Sequence, residues 1–203
     1  MNKQMTLFRL TTLALVFFSL ASCSDSDDPA PNDTPAAKKY DIKSGTIHFE
    51  SDLAGFKGTK IVYFDDFGAK ERVEEYEDGV LESCVFSDGK TRYNLDIPAK
   101  IAYLVDQHGD RGWEMEFHTW DEIKQFPGYE KDYTKVDNIT VVGKNCEAYR
   151  YKDIAVFAGW KGLTLYHQQN PNILIKAVKL EEDVKQDPAL FAVPNGFTVK
   201  ELP

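Results

Sequence analysis

Lys70-Glu71-Arg72-Val73-Glu74-Glu75-Tyr76-Glu77-Asp78-Gly79-Val80-Leu81-Glu82-Ser83-Cys84-Val85-Phe86-Ser87-Asp88-Gly89-Lys90-Thr91-Arg92-Tyr93-Asn94-Leu95 decides the fold class. Two Asp-Gly pairs, Asp78-Gly79 and Asp88-Gly89, stand ten residues apart between runs rich in Val, Phe and Tyr. Asp-Gly between such runs is a strong hairpin signal, because a type I′ turn needs positive φ at both central residues. Lys70–Glu77, Val80–Ser87 and Lys90–Leu95 are therefore expected to be antiparallel neighbours. Lys70–Glu77 has only Val73 and Tyr76 as apolar residues. That composition reads as an exposed or edge strand, its charges guarding the edge.

The same texture extends in both directions. Asp41–Glu50 and Thr59–Phe67 precede the hairpins. Ile101–Val105, Ile139–Val142, Cys146–Tyr151, Ile154–Phe157, Leu163–Tyr166 and Ile173–Leu180 follow. In Ile61-Val62-Tyr63-Phe64 and Ile173-Leu174-Ile175 both strand faces are apolar. A sheet wet on one face would alternate, so part of this sheet is covered on both sides or lines a cavity. Helix is scarce. Thr119-Trp120-Asp121-Glu122 fits a capping box, which places a helix over Thr119–Phe126, stopped by Pro127-Gly128. Trp113–Phe117 suits strand or helix equally. A second short turn starts at Asp187-Pro188, with proline in the first helical position. The fold class is mainly β with a few short helices (α+β), in one domain over residues 40–203.

The amino terminus reads differently. Lys3 and Arg9 flank an apolar run, Leu10–Leu20, about half the ~20 residues that span a membrane. A short apolar core behind a basic start is a secretory signal. Leu20-Ala21-Ser22-Cys23 resembles the lipobox of bacterial lipoproteins. The resemblance implies cleavage after residue 22, diacylglycerol on the Cys23 thiol and an acylated new amino terminus. Several acyl chains hold a membrane far better than one. Residues 23–39, acidic and then proline-containing, cannot bury enough surface to fold and read as a flexible tether. Acidic residues directly after Cys23 also resemble the surface-export signal of Bacteroidota lipoproteins. A plain solvated spacer fits them as well. Outer-membrane attachment is expected, facing the periplasm or the exterior.

The chain carries 24 basic and 33 acidic residues, a net charge of −9. That balance argues against nucleic acid and against electrostatic attraction to anionic lipid. Membrane contact is left to the lipid on Cys23. Cys84 and Cys146 would close a loop worth about 4 kcal/mol in the chain-entropy model. An exported protein permits that bond, and two buried free thiols fit the sequence equally.

Several segments resemble uncharacterised Bacteroidota lipoproteins. Ile61–Glu71 (Ile-Val-Tyr-Phe-Asp-Asp-Phe-Gly-Ala-Lys-Glu), Ser87–Asp96, Val142–Tyr149, Ala158–Leu165 and Phe191–Val199 match short stretches of that family in order. Those domains are similar in architecture to the lipoprotein carrier LolA and its receptor LolB. The resemblance implies a curved antiparallel sheet, a half-barrel with short helices on its concave face. It carries over no catalytic residue.

No constellation of residues argues for an active site. His48, His108, His118 and His167 are scattered, without the i, i+4 helical spacing of a zinc site. The run Glu74-Glu75-Tyr76-Glu77-Asp78 reads as a solvated face. Neither a Gly-x-Ser-x-Gly elbow nor a phosphate-cradling glycine loop occurs. No catalytic residue, metal or cofactor is expected. Trp113, Phe117, Trp120, Phe126 and Trp160 suit either core packing or the lining of an apolar pocket. The leading expectation is a non-enzymatic envelope protein binding an apolar ligand or lipid in a half-barrel. The alternative is an interaction module that contacts a partner protein or glycan.

Overall fold

The computed structural model describes residues 38–105, 117–169 and 172–201. The leader, Cys23, the tether up to residue 37, His108 and Trp113 lie outside the described residues. The strands are β1 Gly45–Leu53, β2 Phe56–Asp65, β3 Lys70–Glu77, β4 Val80–Asp88, β5 Arg92–Asp96, β6 Ile101–Val105, β7 Tyr133–Val141, β8 Lys144–Tyr151, β9 Ala155–Trp160, β10 Leu163–Gln169, β11 Ile173–Glu182 and β12 Thr198–Glu201. They form one twelve-stranded sheet in the order β12-β6-β5-β4-β3-β2-β1-β11-β10-β9-β8-β7. The chain starts in the middle and walks outward to β6. It resumes at the far edge with β7 and walks back until β11 pairs with β1. β12 then adds to β6, in parallel. This is the mainly-β, curved, open half-barrel sheet expected from the sequence, with two single-turn helices, α1 Trp120–Ile123 and α2 Tyr129–Asp132.

The turns explain why the meander is so regular. Ala54-Gly55, Asp78-Gly79, Val142-Gly143 and Lys161-Gly162 each join two strands with positive φ at both residues. All four are two-residue type I′ connections, whose twist matches the strands they join. Glycine in second place is the shared signal, and aspartate occurs in only one of the four. Asp88-Gly89 behaves differently. There Ser87 pairs with Arg92, and the Asp88 carboxylate accepts from the N–H groups of Lys90 and Thr91 (2.8 Å each). The side chain builds a four-residue loop in place of the tighter turn.

The capping box at Thr119 and Glu122 is present, but α1 ends at Ile123 and does not reach Phe126. Gly128, at φ 74°, then starts α2, which the sequence did not announce. Asp187 caps a 3-10 turn over Pro188–Phe191, with proline at its start as expected. Lys38 and Lys39, expected in the tether, belong to an ordered strap. Lys39 and Tyr40 N–H donate to the Phe67 carbonyl, and Asp41 N–H donates to the Lys161 carbonyl. The strap thus ties the β2–β3 connection to the β9–β10 hairpin.

Three clusters bury both faces of the sheet. The main one joins Tyr40, Ile42, Ile47, Phe49, Val62 and Phe64 to Cys146, Ala148, Ala158, Leu163 and Leu165. A second holds Cys84, Phe86, Leu95 and Ala102 beneath Val193 and Phe197. A third packs Phe117, Ile123 and Trp120 against Tyr149 and Phe157. β8 and β9 therefore carry core on both sides; in the strands that do not alternate in sequence, Val62 and Phe64 are buried while Ile61 and Tyr63 are half-buried, and Leu174 is exposed.

The edge assignment of Lys70–Glu77 is corrected. β3 lies inside the sheet, between β2 and β4. Of its charges, Glu71 and Glu74 are buried and hydrogen-bonded, while Glu75 and Glu77 are exposed. Glu71 is 1% exposed and accepts from the Tyr40 hydroxyl (2.8 Å). Glu74 accepts from Arg72 Nε (2.7 Å) and from the Tyr76 hydroxyl (2.8 Å). Arg72 also donates to the Leu190 carbonyl (3.2 Å), holding the 3-10 turn to the sheet. Residues two apart share a face, so Arg72, Glu74 and Tyr76 satisfy one another locally, and the strand can be interior despite its composition.

Candidate functional site

The expected aromatic lining is divided between separate places. Phe117 is 4% exposed and lies flat on Gly159, where an added Cβ would come 2.0 Å from the ring. It stacks on Tyr149 at 5.2 Å between centroids. Trp120 is half-buried and meets Tyr129 edge-on, while its backbone N–H donates to Glu147 Oε2 (3.1 Å). Phe126 is exposed, beside His118 and Tyr133. Trp160 belongs to the main cluster and is covered by the ammonium groups of Lys144 and Lys161, 4.3 and 4.4 Å from its ring. Ile47, Val62, Phe64, Leu163 and Leu165 leave no surface open to water. Two open cavities among the described residues lie elsewhere, at the end of the sheet.

Of the two readings left open for Cys84 and Cys146, a bond or two buried thiols, the structure has the second: both are free and buried. They stand on β4 and β8, with six strands between them, in different clusters. Burial pushes the Cys84 thiol up to about 11 and raises that of Cys146. Such thiols stay protonated and unreactive at neutral pH. Among the described residues no three His, Cys, Asp or Glu side chains converge on a metal-sized site. Among the described residues, Glu71 is the most buried carboxyl. Burial, above all, raises its pKa, opposed by Lys39, the Tyr40 hydrogen bond, Lys60 and Arg92. One of its oxygens has no hydrogen-bond partner.

Two open cavities lie at one end of the sheet, around the β1–β2 and β3–β4 hairpins. The larger, about 500 Å³, is lined by Glu50, Asp52, Lys57, Tyr76, Asp78 and Leu174, among others. The smaller, about 170 Å³, is lined by Leu53, Lys60, Glu75, Glu77, Glu82 and Ile175, among others. They share Ser51, Lys57, Gly58, Thr59 and Tyr76. Register places them on opposite faces of the same strand ends. Glu50 pairs with Thr59 and Lys176 on one face; Ser51 pairs with Gly58 and Ile175 on the other. A Cβ at Gly58 would come 2.8 Å from the Tyr76 carbonyl, so glycine lets β2 and β3 close up here. Burial, then the hydrogen bond to Glu74, pushes the Tyr76 hydroxyl up to about 12. It is a fixed, neutral group between the two cavities.

The charges at this rim have a pattern. Lys57 stands opposite Asp52, Lys176 opposite Glu50, and Lys60 Nζ is 3.7 Å from Glu75 Oε1. Each lysine has a carboxylate across the ladder. Glu77, Asp78 and Glu82 face no such lysine and are exposed. Glu82 is the extra residue where β4 slips by one against β3, a bulge that re-aims its side chain. Exposed apolar residues accompany them: Leu53 (45%), Val80 (59%) and Leu174 (37%). Of the run Glu74–Asp78, expected as a solvated face, Glu75, Glu77 and Asp78 are exposed and Glu74 is buried. The offset of Lys and Glu along strands already inferred carried the signal, but it needed the register to be read.

No family model matches the chain, and no curated protein matches it. Among solved structures it is similar to an uncharacterised conserved protein from Thermus thermophilus. The identity is 11% and the TM-score 0.53, over 79% of this chain and 91% of that one. PNGF-II, in two crystal forms, aligns with 79% of this chain at 10% identity, with TM-scores of 0.45 and 0.44. The chain spans about a third of PNGF-II, 31% and 32% of the two chains. The Thermus protein shares the fold; the PNGF-II alignments are too distant to support an argument.

Proposed function

We propose that this chain is a lipid-anchored envelope protein whose domain is a non-enzymatic interaction module. Lipid on Cys23 holds it to the outer membrane, on the periplasmic or outer side, and the rim of the sheet meets a partner. One observation carries this reading. Core residues such as Ile47, Val62, Phe64, Leu163 and Leu165 leave no surface to water, while two open cavities among the described residues sit at the rim. β2 runs from the rim at Phe56 to Asp65, so the strap at Phe67 lies at the opposite end of the sheet. A tether joined there leaves the rim free to face outward. Among the described residues, the two cavities at the rim lie away from Phe117, Trp120 and Trp160.

Mass spectrometry of lipids extracted from the purified full chain tests this reading. The expected result is the covalent lipid on Cys23 and no other lipid in stoichiometric amount. A non-covalent lipid at one per chain would overturn the module in favour of a carrier. Cys23→Ala should release the chain from the membrane fraction; tight retention of that variant would refute the anchor.

A further inference from the structure

At the end of the sheet opposite the rim, we propose that the strap Lys38–Asp41 is a proton-sensitive latch: it closes with the Tyr40 hydroxyl on a protonated Glu71, and loss of that proton lets the strap lift from the sheet. The strap is separable by construction. It lies outside the twelve strands and is held by three backbone hydrogen bonds, from Lys39 and Tyr40 to the Phe67 carbonyl (3.0 and 3.1 Å) and from Asp41 to the Lys161 carbonyl (3.0 Å). Of its four residues Tyr40 alone is buried. Two glycines shape its seat. A Cβ on Gly68 would come 2.6 Å from the Tyr40 ring, and one on Gly162 would come 2.6 Å from the Lys39 carbonyl. Under the ring, Glu71 Oε1 takes the Tyr40 hydrogen bond (2.8 Å), while Oε2 has no hydrogen-bond partner. A buried oxygen left in that state disfavours the closed arrangement, most of all when the carboxyl is charged. The charged and titratable groups around Glu71 are Lys39 and Tyr40 on the strap, Lys60 on β2 and Arg92 on β5. Its cross-strand neighbours are Phe64 and Ser87. The cations and the Tyr40 bond favour the carboxylate, but burial outweighs them. Lifting Tyr40 admits water, and Lys60 and Arg92 stay beside the carboxylate. Closing therefore takes up a proton and opening releases one. The latch is shut below the unfolded carboxylate value near 4.5 and is lost as pH rises through the raised folded value. Four released residues would lengthen a lipid-anchored tether by up to about 13 Å.

Amide hydrogen exchange of the full chain in neutral detergent, from pH 5 to 8, tests the latch. Expressed as protection factors, the data are free of the intrinsic pH dependence of exchange. The Tyr40 and Asp41 amides are expected to be less protected than those of the β1–β11 ladder, because the strap opens while the sheet stays folded. Their protection should fall as pH rises, by up to about tenfold per pH unit for the release of one proton. Glu71→Gln should abolish that slope. Tyr40→Phe keeps the ring in its seat and removes the hydroxyl, so it should lower strap protection at pH 5 by roughly fivefold. Strap amides as protected as the ladder would overturn the latch, since the strap would then leave only with the whole sheet. A pH-independent strap in the parent, or the parent's slope kept in Glu71→Gln, would overturn the part given to the Glu71 proton. Unchanged protection in Tyr40→Phe would overturn the Tyr40 hydroxyl as the catch.

Discussion

Gly159→Ala should detach the Phe117 segment from the sheet, although the change adds one methyl group. Gly159 has no positive φ, so backbone strain plays no part. The cost comes from the ring above it. The new Cβ would lie 2.0, 2.4 and 2.5 Å from Phe117 Cγ, Cδ2 and Cδ1. Carbon atoms rest at about 3.5–4.0 Å, so the ring must withdraw by roughly 1.5 Å or leave. Withdrawal within a packed site costs about 1–3 kcal/mol. Complete exposure of the ring, 4% exposed in the native fold, costs about 3 kcal/mol. A loss of about 2–3 kcal/mol follows, or a fall of roughly 4–12 °C in Tm for a domain of this size. Thermal and urea unfolding of parent, Gly159→Ala, Phe117→Ala and the double variant measure it. With the ring gone, the three closest contacts of the added methyl are removed, so Gly159→Ala should cost under about 0.5 kcal/mol in the Phe117→Ala background. An equal cost in both backgrounds would refute the steric reasoning. So would a single variant that melts with the parent.

Glu71→Gln tests the buried carboxyl. A raised folded-state pKa means that the native protein holds the proton more tightly. Its contribution is fully present below the unfolded value near 4.5 and is lost as pH rises through the folded pKa. Urea unfolding from pH 4 to 8 should show the variant gaining on the parent as pH rises; parallel curves would discount Glu71 as a buried titrating group. Gly79→Val should cost more than about 1 kcal/mol, since φ 79° suits a β-branched residue poorly. Nothing lies within 4 Å of the added Cβ, so the cost is backbone strain alone, and a melt equal to the parent's would contradict the type I′ turn. Dithiothreitol should leave Tm unchanged, because Cys84 and Cys146 are free. A drop in Tm on reduction would indicate a bond that the structure does not have.

Local chemistry was legible in the chain. Strand-forming runs and X-Gly turns specify hairpins from residues within reach of one another, and the β3–β4–β5 meander follows from them. The capping box at Thr119 and the Asp187-Pro188 start act within four residues and appear where they were read. The length of α1 was less legible, since one turn of helix persists only as far as its packing on β8 supports it. β12 was missed, because four exposed residues, Thr198–Glu201, become a strand only beside β6.

Tertiary structure alone decided what the charges mean. Lys70–Glu77 has an edge strand's composition, yet β3 is interior because Arg72, Glu74 and Tyr76 satisfy one another on one face and Tyr40 reaches Glu71 on the other. The aromatic residues near Trp120 looked like one group with Trp160, but Phe117 and Trp120 pack with Phe157 on one face of β9, while Trp160 lies on the other with two lysines over its indole. At the rim, composition counts only a mixture of Lys, Asp and Glu. Register assigns each lysine its carboxylate and leaves Glu77, Asp78 and Glu82 over. Hydrophobic period and turn chemistry act between near neighbours, so sequence determined the meander. Burial and pairing of charge depend on residues far apart in the chain, and those partners exist only once the sheet has closed around them.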